Sequence, residues 1–403
     1  MKEGWKYERL GNITTSINGL WKGKKEPFVK VGVIRNANFN KDITLNFSNI
    51  EYLEVEERQY KVRKLQDGDL IVEKSGGSEK QPVGRTVLFR GEGDFSVSNF
   101  TSILRINDKR VILPEFLYKY LLFVYYSGAT RSMQKATTGI HNILYDKFLE
   151  IRIPIPPLPE QERIVSLLDA EFAKIDAIKA NAEKQLQDAK ALFQSTLKDY
   201  LTLKEGWKIC KIGDIARIRR GLTYSKSDEV DNSNNIVLRS NNIDLSTNKL
   251  VYDELKFIHQ SINIPEDKYL KKGELLMCMS NGSKVHLGKV ALNETDSIYV
   301  FGGFMAAISH DNSLIDKFFF YSLITPRFKE YIKSLSDGAN INNLKARDIE
   351  NYTIPIPPLS EQHQIAEQLD KISAKIHSLQ SNFDTTVTLC NDLKQSILKD
   401  IFG

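Results

Sequence analysis

Two clusters of cationic and amide side chains hold most of the recognisable chemistry in this sequence. Lys and Arg neutralise phosphates, while Arg, Asn and Ser form hydrogen bonds with base edges in the major groove of DNA. In the first half the candidates are Lys22, Lys24, Lys25, Arg35, Asn36, Lys74, Ser75, Gly76, Gly77, Ser78, Lys80, Arg85, Thr138 and Asn142. In the second half they are Arg217, Arg219, Arg220, Arg239, Ser240, Asn241, Asn242, Ser280, Asn281, Gly282, Ser283, Lys284, Asn340 and Asn343. Taken singly, each is typical of a solvated surface or a tight turn. Their equivalent positions in both halves favour double-stranded DNA as the ligand.

The sequence offers no recognisable catalytic motif. It contains no G-x-x-x-x-G-K-[ST] phosphate loop, no G-x-G-x-x-G opening a helix and no H-E-x-x-H. Glu254-Leu255-Lys256 could end a nuclease motif, but so short a pattern is common by chance. The six histidines are scattered, and His141 in the first half corresponds to Asn342 in the second. We therefore predict a protein without catalytic residues, metal ligands or a cofactor of its own.

Composition is that of an ordinary globular protein with two or three domains. The 403 residues are 41% hydrophobic and 27% charged, and 56 basic against 51 acidic residues give a formal charge of +5. Such a small excess permits nucleic-acid binding without arguing for it. The three cysteines are far apart, which is typical of a reducing compartment. The most hydrophobic stretch, 116–126, is too short to span a bilayer, so we predict a cytoplasmic protein.

The chain repeats one plan twice. Lys2-Glu3-Gly4-Trp5-Lys6 recurs as Lys204-Glu205-Gly206-Trp207-Lys208, Gly19-Leu20 as Gly221-Leu222, and Asp67-Gly68-Asp69-Leu70-Ile71 as Lys272-Gly273-Glu274-Leu275-Leu276. The last pair predicts a tight turn entering a buried strand. Strand-like runs at 28–34, 83–89, 235–238 and 285–292, with helical stretches at 114–126 and 314–335, predict β-rich α/β domains. One scaffold with different loops indicates two different binding surfaces.

A proline-rich elbow also occurs twice. Ile153-Pro154-Ile155-Pro156-Pro157-Leu158-Pro159-Glu160-Gln161 returns as Ile354-Pro355-Ile356-Pro357-Pro358-Leu359-Ser360-Glu361-Gln362. Because proline fixes φ and disfavours helix in the preceding residue, each elbow is extended. Glu160 and Glu361 then place a carboxylate in the first turn of a helix, next to its positive dipole end. Each elbow therefore predicts a rigid entry into a helix.

The tracts after the elbows carry sustained heptad patterns. The apolar seam comprises Leu168, Phe172, Ile175, Leu186 and Phe193 in the first tract, and Ile365, Leu369, Ile372, Ile376, Leu379, Phe383, Leu393 and Ile397 in the second. A helix of about 40 residues is about 60 Å long, which exceeds a small domain, although each helix could simply pack on its own domain. Two equal seams predict an antiparallel coiled coil that holds two lobes apart, with approximate two-fold symmetry.

The paired Ile-Pro-Ile-Pro-Pro-Leu-x-Glu-Gln elbows and Gly-Trp-opened domains resemble the specificity subunit of type I restriction–modification systems. The resemblance implies two target recognition domains, 1–153 and 204–353, and two conserved spacers, 154–203 and 354–403. It implies an α+β fold in which the coiled coil measures the gap of a split, asymmetric DNA site. It also implies a non-catalytic chain whose partners are two modification subunits, which methylate adenine with S-adenosylmethionine, and ATP-dependent restriction subunits.

Two other functions stay open. A stand-alone methyltransferase with an unrecognised cofactor loop would bind S-adenosylmethionine by itself, and a coiled-coil assembly protein would not retard duplex DNA. If the helices act as a ruler, four residues inserted within 170–195 should lengthen the spacer by about 6 Å, near two base-pair rises.

Overall fold

The computed structural model describes residues 4–21, 23–137, 139–296, 298–336 and 343–403. The chain forms two compact units, Met1–Ala182 with Asp384–Gly403, and Glu183–Phe383. Each unit combines β-sheets with helices, as predicted for the α+β class. Each of the two longest helices passes from one unit into the other. The four predicted segments 1–153, 154–203, 204–353 and 354–403 therefore describe sequence repeats, and their role as domains stays a prediction.

The first unit is built on three small sheets and a two-stranded ladder. Its strands are β1 (Lys6–Arg9), β2 (Thr14–Asn18), β3 (Phe28–Ile34), β4 (Glu51–Glu56), β5 (Leu70–Glu73), β6 (Ser75–Gly77), β7 (Thr86–Leu88), β8 (Phe95–Val97), β9 (Thr101–Ile106), β10 (Gln134–Thr137), β11 (Ile140–Ile143) and β12 (Arg152–Ile155). The sheet orders are β2-β9-β5-β7, β4-β3-β8 and β10-β11-β6. The expected strand at 28–34 is confirmed, whereas only the centre of 83–89 is strand.

Helices pack against two of the sheets of the first unit. They are α1 (Leu10–Ile13), α2 (Glu57–Arg63), α3 (Pro114–Tyr126), α4 (Tyr145–Leu149) and the beginning of α5 (Leu158–Tyr200). The predicted helix at 114–126 is confirmed at both ends, with Pro114 in the first turn, where its missing N–H costs nothing. Leu70 and Ile71 on the central strand and Phe116 on α3 are fully buried in one core.

The second unit repeats this plan with different connections. Its strands are β13 (Lys208–Lys211), β14 (Ala216–Arg220), β15 (Glu229–Val230), β16 (Asn235–Leu238), β17 (Lys256–Ile258), β18 (Leu275–Cys278), β19 (Val290–Leu292), β20 (Val300–Phe301), β21 (Met305–His310) and β22 (Thr353–Ile356). The sheet orders are β14-β21-β18-β19 and β15-β17-β16-β20. The expected strand at 235–238 is confirmed. The run at 285–292 is strand only at its end, because a 3₁₀ turn occupies Lys284–His286.

The helices of the second unit correct one prediction. They are α6 (Ile212–Ile215), α7 (Asp316–Ser322), α8 (Pro326–Ser336), α9 (Ala346–Glu350) and α10 (Leu359–Phe402), together with the end of α5. The stretch 314–335 was expected to be one helix, but it is two. Pro326 lacks an N–H and restricts the residue before it, so the helix stops and restarts there. The hydroxyl of Thr325 accepts the Phe328 N–H at 3.2 Å at the start of α8.

Each elbow is a strand that pairs with the repeated segment near the start of its half. In the first unit β1 and β12 are antiparallel, with Tyr7 opposite Pro154. In the second, β13 and β22 pair in the same way, with Ile209 opposite Pro355. Proline is tolerated here because each ladder has only these two strands, so its missing N–H faces away from any further strand. The repeated Gly-Trp and elbow motifs are therefore two parts of one local structure.

A buried glutamine fastens each long helix to its unit. The Gln161 side chain accepts the Leu113 N–H at 2.9 Å and donates to the carbonyls of Val111 and Pro156 at 2.9 and 2.8 Å. Gln161 is 0% exposed, like Gln362 at the start of α10. An uncharged side chain with both donor and acceptor atoms satisfies three backbone groups that burial removes from water. This clamp explains why Glu-Gln ends each elbow.

Within the first unit, α5 and α10 run antiparallel beside each other. Cys390 lies against the Ile175 carbonyl at 3.8 Å, and Lys394 forms an ion pair with Asp176 at 2.6 Å. Leu168, nearer the start of α5, shares a buried cluster with Leu398, nearer the end of α10. The side-by-side helices agree with the predicted antiparallel seam.

The same arrangement holds within the second unit. Lys190 on α5 donates to the Gln380 side chain of α10 at 2.8 Å. Leu197 and Leu201 near the end of α5 share a core with Ile365 and Leu369 near the start of α10. The predicted seam residues that are buried or half-buried are Leu168, Phe172, Ile175, Leu186, Phe193, Ile365, Leu369, Ile372, Ile376, Leu379, Phe383 and Ile397.

One seam residue was predicted wrongly. Leu393 is 49% exposed, whereas Leu398 is fully buried and Lys394 reaches across to α5. A straight helix has 3.6 residues per turn, so a strict heptad pattern drifts around its surface and moves the contact to neighbouring positions. Along the described ranges, the structure contains no helix long and apolar enough to cross a membrane.

Candidate nucleic-acid interface

In the first unit the predicted loops meet at the end of β3. The backbone N–H of Arg35 donates to the Asn38 side chain at 2.9 Å, which closes a 3₁₀ turn directly after the strand. The Asn36 amide then donates to the Ser75 carbonyl at 2.5 Å. Two predicted candidates, Asn36 and Ser75, are thereby brought together across 39 residues of sequence.

The third polar segment joins the same place. Ser75 pairs with Asn142 across β6 and β11, and the Ile143 N–H donates to the Lys74 carbonyl at 2.8 Å. Burial lowers the pKa of the Lys74 ammonium group, which also donates to Asn18 at 2.8 Å. The expected loops at 35–36, 74–75 and 142 therefore come together at one place.

Several other candidates of the first unit lie outside this surface or are held within the fold. Lys24 and Lys25 are exposed in a separate loop whose backbone N–H groups donate to Glu56 at 2.6 and 2.7 Å. Ser78 closes a turn with Gln81, and Lys80 beside it is exposed. Gly77 is buried, and a Cβ there would lie 2.7 Å from Val83. Gly76 adopts φ +104°, which favours glycine.

Two arginines of the first unit carry ion pairs. Arg35 pairs with Glu51, with both side chains close to half exposed. Arg85 is 7% exposed and forms a bidentate pair with Glu73, both distances being 2.8 Å. If Arg85 turned outward, it would leave the buried Glu73 carboxylate unpaired, so this pair holds the guanidinium within the fold. Lys22 and Thr138 lie outside the described residues.

The second unit repeats the construction at the end of β16. The Arg239 N–H donates to the Asn242 side chain at 2.9 Å, and the Asn281 amide donates to the Ser240 hydroxyl at 2.8 Å. Ser280 bridges Asn343, just as Ser75 pairs with Asn142 in the first unit. The predicted loops of this half therefore also meet, with different side chains on the same frame.

A cleft of about 790 Å³ opens between these loops in the second unit. The predicted candidates that line it are Arg239, Ser240, Asn241, Ser280, Asn281 and Gly282, and they are joined there by Tyr224, Lys226, Lys256 and Phe304. The set combines cations, amides and hydroxyls with aromatic rings. It can therefore meet phosphates, base edges and apolar base surface at once.

The cleft has an excess of positive charge. Lys256 pairs with Glu229 at 2.7 Å, and this hydrogen bond lowers the pKa of the Glu229 carboxyl, helped by the charges of Arg239 and Lys226. The Nε of Arg239 is buried without a hydrogen-bond partner. Three cations thus share the cleft with one carboxylate, which leaves positive charge for an anionic ligand.

Other candidates of the second unit have internal contacts. Arg219 forms a pair with Glu274 at 2.6 Å and is 15% exposed in its side chain. Arg220 donates to the Leu344 carbonyl, and burial lowers its pKa. The buried Asn242 amide donates to the Val251 carbonyl at 3.0 Å. These three residues are absent from the lining of the cleft.

Two of the remaining candidates, Ser283 and Lys284, follow the cleft-lining Gly282 in the chain. The Ser283 N–H donates to the Asn281 side chain at 2.9 Å, so it holds the loop. Lys284 begins a 3₁₀ turn and lines a second, smaller cavity of about 440 Å³. Arg217 is exposed on β14, and Asn340 lies outside the described residues. Within the part of the chain that the structure describes, no group of three or more His, Cys, Asp or Glu side chains is placed to hold a metal ion.

Sequence reasoning missed two residues of this surface. Phe304 lines the cleft, and Phe100 occupies the corresponding place in the first unit, where its carbonyl accepts the Ser75 N–H. A signal was available, since both phenylalanines stand directly before the apolar strands β9 and β21. Both rings are apolar, whereas the predicted binding residues are polar, charged or glycine.

Comparison with known proteins agrees with the duplicated plan. The model of a family described as the type I restriction modification DNA specificity domain matches residues 2–188 and again 204–387. The EcoKI specificity subunit of Escherichia coli strain K12, a type I restriction enzyme subunit, is 30% identical over 197 residues, 49% of this chain and 42% of that protein. The match thus spans less than half of that relative's length.

Two further likenesses extend over nearly the whole chain. The putative type I restriction enzyme MjaX specificity subunit of Methanocaldococcus jannaschii is 20% identical over 388 residues, 92% of this chain and 87% of that protein. A structure solved in work on complex assembly and conformational transition of the type I R-M system aligns with a TM-score of 0.72 at 19% identity, covering 99% of this chain and 97% of that one.

The structural likeness supports the fold, and the family model supports the family. That model describes a specificity domain, not a catalytic one, and its two copies account for most of the sequence. The resemblance carried by the elbows is confirmed. The chain belongs to the type I restriction–modification DNA specificity family.

Proposed function

We propose that this chain is the non-catalytic subunit that reads a split, asymmetric DNA site for a type I restriction–modification complex. One observation carries the proposal: both units bring an arginine-led turn, a serine loop and an asparagine to the same place on an equivalent frame. The side chains on the two frames differ, with Asn36 and Ala37 in one and Ser240 and Asn241 in the other. Different donors and acceptors on equivalent surfaces suit two different half-sites.

Catalysis belongs to the partners in this proposal. Two modification subunits would methylate adenine with S-adenosylmethionine, and restriction subunits would act with ATP, so this chain needs no cofactor. Exposed apolar residues on the long helices support docking there, since Ile178, Leu192 and Leu389 are each more than half exposed. Large apolar side chains left in water on a helix offer area that a partner could bury. The complex would work in the cytoplasm, where DNA is accessible.

The long helices would set the gap between the half-sites. The support is their continuity: α5 has 43 residues and α10 has 44, and each belongs to both units. A helix rises about 1.5 Å per residue and resists compression along its axis. The length of the helices would therefore fix the number of base pairs between the two half-sites.

The test is to co-express the chain with its modification subunit and to map methylated adenines across the host genome. A split, asymmetric motif with one fixed gap is the expected result. Arg239→Ala should relax or change the half of the motif read by the second unit and leave the other half unchanged. Arg347→Ala, an exposed arginine on α9 away from the cleft, is the matched control and should change neither half.

A stable complex that methylates no defined motif would refute the proposal and favour an assembly protein. Calorimetry on the isolated chain separates the enzymatic alternative. Binding of S-adenosylmethionine by this chain alone would move catalysis into it, whereas we expect no heat of binding.

A further inference from the structure

A four-residue turn in the first unit holds an aromatic ring out toward solvent. It comprises Ser98, Asn99, Phe100 and Thr101, and it is closed by the Thr101 N–H donating to the Ser98 carbonyl at 3.1 Å. The Phe100 carbonyl accepts two more bonds, from the N–H groups of Lys74 and Ser75 at 2.9 and 3.2 Å. The backbone of this phenylalanine is therefore tied to the polar loop, while its ring is 54% exposed.

The second unit contains the same turn. The Met305 N–H donates to the Gly302 carbonyl at 2.8 Å, and the Phe304 carbonyl accepts the N–H groups of Met279 and Ser280 at 2.9 and 3.1 Å. The Phe304 ring is 71% exposed and lines the cleft that contains Arg239. Two units with largely different loops thus hold a phenylalanine in the same way.

A glycine packs directly against the backbone of each turn. A Cβ on Gly19 would lie 1.7 Å from the Ser98 carbonyl oxygen, and one on Gly221 would lie 2.1 Å from that of Gly302. A side chain at either position would therefore collide with the backbone of the turn. This explains why Gly19-Leu20 recurs as Gly221-Leu222. The turn that carries each phenylalanine is packed directly on a glycine in both units.

The residues around the ring indicate what kind of partner it would bind. An aromatic ring exposed to water has an unfavourable hydration free energy, and burial of the ring against a binding partner would remove it. In the second unit the ring shares its cleft with Lys226, Lys256, Arg239 and Asn241, a set suited to phosphate and base edges. A partner that is polyanionic outside and presents apolar surface in a groove is a DNA duplex, whose thymine methyl groups lie in the major groove.

We propose that Phe100 and Phe304 are base-contacting residues, each pressing its ring against a base of the half-site read by its own unit. The inference rests on the proposed function and deepens it, because it adds an apolar contact to the polar reading surface. Each ring contributes sequence discrimination, while the neighbouring lysines contribute affinity that does not depend on sequence. A phenyl ring releases no counterions, so its removal leaves the salt dependence of binding unchanged.

The test uses the assembled complex of the full chain with its modification subunits. Its probes are a duplex carrying the mapped site and two duplexes in which one half-site is scrambled. Affinities are measured by fluorescence anisotropy at several salt concentrations. Phe304→Ala should weaken binding to the intact site by about tenfold or more, the scale of one lost base contact. It should leave binding unchanged where the second unit's half-site is already scrambled.

Phe100→Ala should behave in the same way for the other half-site. The matched controls are Val62→Ala in the first unit and Ile209→Ala in the second, each removing an exposed apolar side chain, 61% and 59% exposed, outside the turns. If the phenylalanine variants discriminate both half-sites as well as these controls, the inference is wrong although the proposed function stands. Loss of complex assembly with unchanged DNA discrimination would assign the rings to a protein contact and also overturn it. If the unaltered complex binds no split site, the proposed function itself fails.

Discussion

The clamp at the start of α10 makes a quantitative prediction about what the duplicated Glu-Gln does. Gln362 is fully buried, accepts the Ile315 N–H at 3.0 Å, and donates to the carbonyls of Ser313 and Pro357 at 2.8 and 3.0 Å. Gln362→Met keeps the length and approximate volume of the side chain. It removes all three hydrogen bonds and leaves the backbone groups around the site without their partner.

The expected destabilisation follows from these three contacts. An intramolecular hydrogen bond contributes about 1 kcal/mol net, and a buried group left unsatisfied costs about 1–3 kcal/mol. Three lost bonds, with part of the loss recovered by water entering at the elbow, give about 3 kcal/mol. Because 1.36 kcal/mol is a factor of ten, the local opening equilibrium should rise about 150-fold.

Hydrogen exchange is the suitable assay, since a chain with two units need not unfold in one step. Exchange of the Ile315 amide and of the first turn of α10 should accelerate by about that factor. The first unit, clamped separately by Gln161, should be unaffected. Gln364→Met, two residues along the same helix and exposed, is the control and should exchange like the original chain. If the exchange rates of these amides differ by less than about fivefold between the two variants, the clamp does not stabilise the elbow and the reasoning is refuted.

Three further predictions concern the frame, the core and the long helices. Gly221→Ala should lower the free energy of unfolding, measured by urea titration, by at least about 3 kcal/mol, because the added Cβ would collide with backbone atoms. The control is Gly282→Ala, whose added Cβ has open space around it and should change the free energy of unfolding by less than about 1 kcal/mol. Burial raises the pKa values of Tyr120 and Tyr126 to about 12. Unfolded tyrosine ionises near pH 10, so these phenols stabilise the fold fully below about pH 10 and progressively less toward about pH 12. Tyr126→Phe should therefore reduce the fall in the free energy of unfolding between these pH values. An equal fall in both proteins would contradict the prediction. Seven residues inserted into both α5 and α10, where each passes between units, add about 10 Å; the methylated motif should gain about three base pairs in its gap, and an unchanged gap in a folded complex would exclude the ruler.

The internal repeat was the most informative feature of the sequence, because it is a local pattern that needs no long-range contact to be seen. The elbows predicted where α5 and α10 begin, since proline restricts the backbone regardless of context. Likewise, Gly68 and Gly273 adopt φ +87° and +82° directly before the buried strands β5 and β18, as the turn motifs predicted. Where the sequence constrains φ directly, prediction succeeded.

Prediction of individual seam and site residues was less successful for a physical reason. Leu393 fits a heptad as well as its neighbours do, but helix drift and packing against the unit decide which face is buried. Arg85 and Arg239 look alike in the sequence, yet only Arg85 has a buried carboxylate within reach. Whether a cation is available to a ligand depends on partners distant in sequence, which local patterns do not reveal.

The sequence by itself thus determined the duplicated plan, the extended elbows, the long helices and the family. The first three follow from backbone restriction or from periodicity, which act between near neighbours, and the family follows from the resemblance that the duplicated elbows carry. The tertiary structure alone decided that β1 pairs with β12 and β13 with β22, that Gln161 and Gln362 become buried clamps, and that Phe100 and Phe304 project beside the polar loops. These outcomes depend on contacts between segments far apart in the chain, whose register is set only when the whole core packs.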